Sequence, residues 1–185
     1  TSYRMTNNPS AKIALVTRSV DGGGVQKMLR HLAAELMARG YTVDLVSRAS
    51  SRPIHSNTGA NVYQLSRTWP LHARWLALRA APEARTELIR PVLTPLIAPE
   101  PLSYLPALTQ YLREHRPDAV ISATTYLNVT VLLARRLAGT QLPVLISERD
   151  NLSHVIDHGR NRRAWRWRHA PPLLNRLYRD ADAIV

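Results

Sequence analysis

Lys12-Ile-Ala-Leu-Val-Thr17 is a short apolar run, too brief for a helix, and Asp21-Gly22-Gly23-Gly24 comes soon after it. The pair reads as a buried strand ending in a glycine turn. Beyond the turn, Val25, Leu29, Leu32, Ala33 and Leu36 recur at helical spacing, while Lys27, Arg30 and Glu35 fall elsewhere and Gly40 stands where a helix stops. The spacing predicts an amphipathic helix from about residue 24 to 39. Tyr41 to Ser47 then supplies a second strand. Strand, glycine turn, helix and strand in this order make one right-handed parallel unit, which excludes an all-helical or an antiparallel chain.

The same alternation runs on. Asn61 to Leu65 is a third strand, Asp118-Ala-Val-Ile-Ser122 a fourth, and Pro143-Val-Leu-Ile-Ser147 a fifth, with a helix from Leu127 to Leu137 closed by Gly139. Ala183-Ile184-Val185 opens a sixth, so the chain is expected to be cut inside a longer protein. Between Trp69 and Leu112 seven prolines punctuate a Leu- and Ala-rich stretch. Short helices broken at prolines are expected there, as an insertion over one mouth of the sheet. The whole pattern implies an α/β fold, an open parallel sheet with helices on both faces.

Composition excludes several functions. Arg or Pro interrupts every apolar run before the roughly 18 to 20 residues that span a bilayer. The absence of cysteine removes thiolate metal sites, cysteine nucleophiles and disulfides, and points to the cytoplasm. Seven histidines show no metal-ligand spacing, so no metal is expected. No Gly-x-Ser-x-Gly elbow is present for serine hydrolase chemistry. A formal charge of +12, carried almost wholly by arginine, should attract polyanions.

In an open parallel sheet, ligands sit beyond the carboxyl ends of the strands. After the first strand, Gly22, Gly23 and Gly24 allow backbone to approach a ligand and open a helix whose amides favour an anion, with Asp21 beside them; the alternative is a tight turn without a ligand. The glycine spacing is neither the dinucleotide fingerprint nor a Walker loop. After the fourth strand, Thr124, Thr125, Tyr126 and Asn128 offer uncharged groups of the kind that orient sugar hydroxyls. After the fifth, Glu148, Arg149 and Asp150 put charges where they must be paired or used, and Glu148 is the candidate catalytic group, although no base can be assigned. Arg160, Arg162, Arg163, Trp165, Arg166, Trp167 and Arg168 form a basic, Trp-bearing segment without an acid. It suits an anionic membrane surface, with nucleic acid the weaker reading and a solvated or interdomain surface the bland one.

At these residues the chain resembles the amino-terminal domain of family-4 glycosyltransferases, retaining enzymes built from two Rossmann-like domains (the GT-B type). The likeness rests on Ile13 to Thr17, Gly22 to Gln26, Leu32 to Val46, Pro117 to Ser122 with Tyr126-Leu-Asn128, Ser147-Glu148-Arg149, and Leu177 to Val185, in that order. The resemblance implies that Gly22 to Gly24 help hold the diphosphate or sugar of a nucleotide-sugar donor, without a cofactor, and that this half mostly receives the acceptor. Thr124 to Tyr126 stand where many relatives carry a donor-holding histidine. The donor motif with its paired glutamates belongs to a second, carboxyl-terminal domain, which is expected to be absent.

The expected organisation is a disordered or tag-derived tail over residues 1–11 and an acceptor-side domain over 12–185, with the proline-rich helical insertion at about 66–116. The expected activity of the full-length enzyme is transfer of a sugar from a nucleotide sugar to a glycan or lipid-linked acceptor, in polysaccharide or glycolipid synthesis. The fragment alone is expected to be inactive, and its location peripheral on the inner face of the membrane. The competing expectation is a non-catalytic membrane-surface or nucleotide-binding module of the same fold.

Overall fold

The computed structural model describes residues 11–19, 23–48, 59–88, 100–148 and 170–185. Six parallel strands, β1 (Lys12–Val16), β2 (Thr42–Arg48), β3 (Asn61–Leu65), β4 (Ala119–Ala123), β5 (Val144–Ser147) and β6 (Ala183–Ile184), form one sheet in the order β3-β2-β1-β4-β5-β6. The chain order reverses direction between β1 and β4, which opens a crevice at their carboxyl ends.

Side-chain alternation assigns the two faces. Ile13, Leu15, Val43 and Leu45 meet Leu29 and Ala33 of α1 (Gly24–Ala38) on one face. Ala14, Val16, Val46, Val120, Val144 and Ile146 point the other way, into a larger core. That core is closed by α2 (Pro70–Ala80), α4 (Leu105–His115), α5 (Thr125–Ala138) and α6 (Ala170–Leu177), and the single turn α3 (Arg85–Glu87) is anchored to it by Ala84 and Leu88 on either side. β3 matches its predicted span, α1 ends one residue early, and the other strand ends shift by a residue. The larger difference is α5, which starts at Thr125 rather than Leu127 and so brings Thr125 into the helix that Asn128 was already expected to join.

Described prolines of the 66–116 stretch begin helices rather than break them. Pro70, Pro82 and Pro106 occupy first-turn positions of α2, of the 3-10 turn Pro82–Ala84 and of α4, where the missing N–H would have no helical partner anyway. Most of the described part of the proline-rich stretch is the helical layer itself, with Ala73, Ala77, Leu105, Leu108 and Leu112 buried in the larger core. Among the described residues of this stretch, the 3-10 segment Glu100–Tyr104 reaches the carboxyl edge of the sheet, where Glu100 meets Arg18 and Arg48.

One buried polar contact ties α4 to the sheet. Asp44 of β2 is fully buried and accepts hydrogen bonds from the Tyr111 hydroxyl (2.6 Å) and from Asn61 Nδ2 (3.0 Å). Tyr63 and His115 pack their rings around Tyr111. Burial, then the hydrogen bond to Asp44 and its charge, push the Tyr111 hydroxyl far above the usual tyrosine value. Folding therefore favours the protonated phenol: this contribution is complete below about pH 10, where an unfolded tyrosine ionises, and is lost as pH rises through the higher folded value. Tyr111→Phe is expected to lower stability by about 2 kcal/mol at pH 7, because the buried Asp44 loses its shortest donor. Urea unfolding at pH 7 and pH 10.5 checks this. The variant should also lose less stability than the parent between the two pH values, with Tyr63, raised by burial and by Asp44, supplying the remainder.

Candidate functional site at the carboxyl edge of the sheet

The crevice between β1 and β4 is framed by the segments at the carboxyl ends of the strands. Gly23 and Gly24 lead into α1, and both are exposed. The first turn of α1 has no side-chain cap and no acidic residue, so its amides are not engaged by a carboxylate of their own helix. Neither glycine is required by the local backbone. A Cβ on Gly24 would meet nothing within 4 Å, one on Gly23 would lie 3.6 Å from Gln26 Oε1, and neither takes a positive φ. Among the described residues, the two glycines thus leave the start of α1 open to close approach.

On the β4–β5 side, Thr124 links strand to helix at φ 90°, ψ 138°, a region that β-branched residues avoid. The strain is held by two backbone bonds, Thr124 N to Ser147 O (3.2 Å) and Asn128 N to Thr124 O (2.9 Å). Thr125 and Asn128, expected to line the cleft, are fully buried and work inside the protein instead. Asn128 Nδ2 donates to Ser147 O (3.1 Å) and to the Tyr178 hydroxyl (3.3 Å), while its Oδ1 accepts from Ser122 Oγ (2.8 Å). The Thr125 hydroxyl donates to Glu148 Oε1 at 2.7 Å, and the Tyr178 hydroxyl to Oε2 at 2.6 Å. Five residues from β4, α5, β5 and the turn after α6 thus fix the Glu148 carboxyl at the end of β5. Thr124 is half-buried on the same rim, whereas the half-buried Tyr126 packs against the larger core.

Across the crevice, Glu100 bridges two arginines. Its carboxyl oxygens lie 2.9 Å from Arg18 Nη2 and 2.7 Å from Arg48 Nη1, which joins the carboxyl ends of β1 and β2. Burial alone would raise the Glu100 carboxyl, but the hydrogen bonds and charges of Arg48 and Arg18 outweigh it and hold it below the usual carboxylate range. Its support is therefore present above the unfolded carboxyl value and lost as pH falls through the lower folded one. Between the bridge and Thr124 lies a narrow cavity of about 20 Å³, lined by Thr17, Arg18, Arg48, Tyr104 and Thr124 among others.

Asp21, Gly22, Arg149 and the segment Arg160, Arg162, Arg163, Trp165, Arg166, Trp167 and Arg168 lie outside the described residues. Among the described residues no group of three or more His, Asp or Glu could hold a metal ion, and no helix is long and apolar enough to cross a membrane. Local sequence pattern does not mark Ser122 as part of the Glu148 cluster, nor the Arg18–Glu100–Arg48 bridge. Tyr178 entered only through the resemblance near the end of the chain. Arg18 and Arg48, each just past a predicted strand, were the available signal for the bridge.

Residues 23–185 match the family described as glycosyl transferase 4-like domain. No curated protein matches the chain by sequence. Among solved structures, a sucrose-phosphate synthase from Thermosynechococcus elongatus overlays with a TM-score of 0.60 at 16% identity, over 94% of this chain and 41% of that one. MurG of Acinetobacter baumannii gives a TM-score of 0.49 at 18% identity, over 94% and 40% of the two chains. The overlay with the synthase speaks to the fold alone. The chain spans about two fifths of the length of these structures. With the synthase as guide, its fold is that of one Rossmann-like domain of a GT-B architecture. With the match covering all but its first 22 residues, the chain belongs to the glycosyl transferase 4-like domain family.

Proposed function

We propose that this domain is the acceptor-side half of a retaining glycosyltransferase that moves a sugar from a nucleotide sugar to a glycan or lipid-linked acceptor, with the donor held chiefly by a second domain. The observation that carries the reading is the crevice itself. A family-4 domain presents, at its strand reversal, an uncapped helix start with two glycines that the fold does not need, opposite a carboxyl group oriented by two hydroxyls. The amides suit the diphosphate of a donor, whose charge grows as the sugar departs. Glu148 suits a sugar hydroxyl and would orient it from the acceptor side, while Thr124 and, outside the described residues, Asp21 and Arg149 complete the rim. The membrane-surface role of Arg160 to Arg168 and a peripheral location on the inner membrane face belong to the same proposal.

The test uses the complete enzyme with a panel of nucleotide sugars and glycan or lipid-linked acceptors. Coupled release of nucleoside diphosphate and glycosylated acceptor is expected. Glu148→Gln should lower kcat/KM at least about tenfold, because its amide nitrogen cannot accept one of the two hydroxyl bonds that orient the group. A complete enzyme that consumes no nucleotide sugar with any acceptor overturns the reading. Unchanged kcat/KM in Glu148→Gln removes Glu148 from the site.

A further inference from the structure

Helix α2 carries apolar side chains on two faces. Ala73 and Ala77 are fully buried and Leu76 and Leu78 pack half-buried against the larger core, whereas Trp69, Leu71 and Trp75 face out. Trp69 is 72% exposed, Leu71 58% and Trp75 53%. Leu71 and Trp75 are four residues apart and so share one stripe, with Trp69 at the start of the helix. Arg79 lies over the Trp75 ring at 5.4 Å and His72 stands beside it.

Charge around the stripe is of one sign. Residues 66–81 include Arg67, Arg74 and Arg79 and no acid. The next carboxylates along the chain, Glu83 and Glu87, are engaged by Arg136 and Arg176. Next to the stripe, a groove of about 570 Å³ between α2 and α4 has Arg79 and Arg113 among its walls, and its one acid, Glu114, accepts a hydrogen bond from Gln110 at 2.7 Å. The position is also directed. Thr68, just before α2, donates its backbone N–H to Ser103 O in the segment that carries Glu100, so the Trp69 end of the stripe lies at the rim of the crevice.

We propose that the exposed face of α2, formed by Trp69, Leu71 and Trp75 with Arg67, Arg74 and Arg79, docks on an anionic phospholipid bilayer. Exposed indoles and leucine seat at the headgroup boundary, and guanidiniums on the same helix meet the phosphates. A protein partner buried by hydrophobic contact alone would not call for cations along the whole stripe. The surface gives the lipid-linked acceptor of the proposed function a route to the crevice. Its purpose rests on that reading, but its test does not.

The chain is sedimented with vesicles of phosphatidylglycerol and phosphatidylcholine, and with phosphatidylcholine alone, at low and physiological salt. Preference for the anionic vesicles, weakened by salt, is expected. Trp69→Ser with Trp75→Ser should lower partitioning at least tenfold, and Arg74→Ser with Arg79→Ser should lower it less while flattening the salt dependence. All four positions are exposed or half-buried, so folding, followed by circular dichroism, should persist. Parent-like binding by both variants, or equal binding to neutral vesicles, overturns the proposal. So does a parent that self-associates through these tryptophans and ignores vesicles. Transfer to a water-soluble acceptor by the complete double-tryptophan variant separates a failure here from a failure of the sugar-transfer reading.

Discussion

Gly24→Val in the complete enzyme is expected to lower sugar transfer at least about 100-fold, close to 2.7 kcal/mol in transition-state stabilisation, while leaving stability within about 0.5 kcal/mol. The two halves of this expectation come from different observations. Stability is spared because the position takes no positive φ and a Cβ there meets nothing within 4 Å, so a side chain would stand in open space at the first residue of α1. Transfer is lost because those methyl groups would occupy the space through which a diphosphate must reach the amides of the first turn. Gly23→Ala, whose Cβ would sit 3.6 Å from Gln26 Oε1, should show a smaller effect of the same kind. Steady-state kinetics of the complete enzyme and thermal unfolding of the same variants check both halves. Parent-like transfer would make the turn purely structural. Loss of stability together with transfer would return the glycine to the fold.

How much of this was legible depends on the range of the interactions. Strands β1 to β5 and helix α1 are written in local periodicity, since apolar runs bounded by Gly, Pro and polar residues have little else to become. The crevice was legible too, because a parallel alternation implies a carboxyl edge and the residues after each strand can be counted. The partners within it were not. Thr125 looks like a rim residue until α5 is seen to begin there, and Asn128, already within the predicted helix, is turned inward by the packing of α5 against β4 and β5. Glu148 and Tyr178 are 30 positions apart and meet only because α6 returns the chain beside β5. Asp44 misleads in another way: in Thr-Val-Asp-Leu-Val a single acid resembles the solvent side of an alternating strand, yet both faces of this sheet are covered and the acid is buried against Tyr111.

Asn128→Leu is expected to cost about 4 kcal/mol, a larger stability loss than that of Tyr111→Phe. Leucine keeps the branching of asparagine with somewhat more bulk, so the loss is chiefly one of hydrogen bonding with a smaller contribution from crowding. The amide stands fully buried at the centre of the cluster, giving two hydrogen bonds and accepting a third. Ser147 O keeps its bond from Thr124 N, so its loss is partial. The Ser122 hydroxyl, itself fully buried, loses its acceptor outright. Three bonds at about 1 kcal/mol each, with roughly 1 kcal/mol more for the stranded hydroxyl, give the expected sum. The double variant Asn128→Leu with Ser122→Ala removes the stranded group and should recover about 1 to 2 kcal/mol, a coupling that independent sites would not show. Urea unfolding of the parent, both single variants and the double variant completes the cycle. A loss under about 1 kcal/mol for Asn128→Leu, or strict additivity with Ser122→Ala, would mean that Thr125 and Tyr178 hold Glu148 without the amide, and that the buried asparagine is a passenger in the cluster.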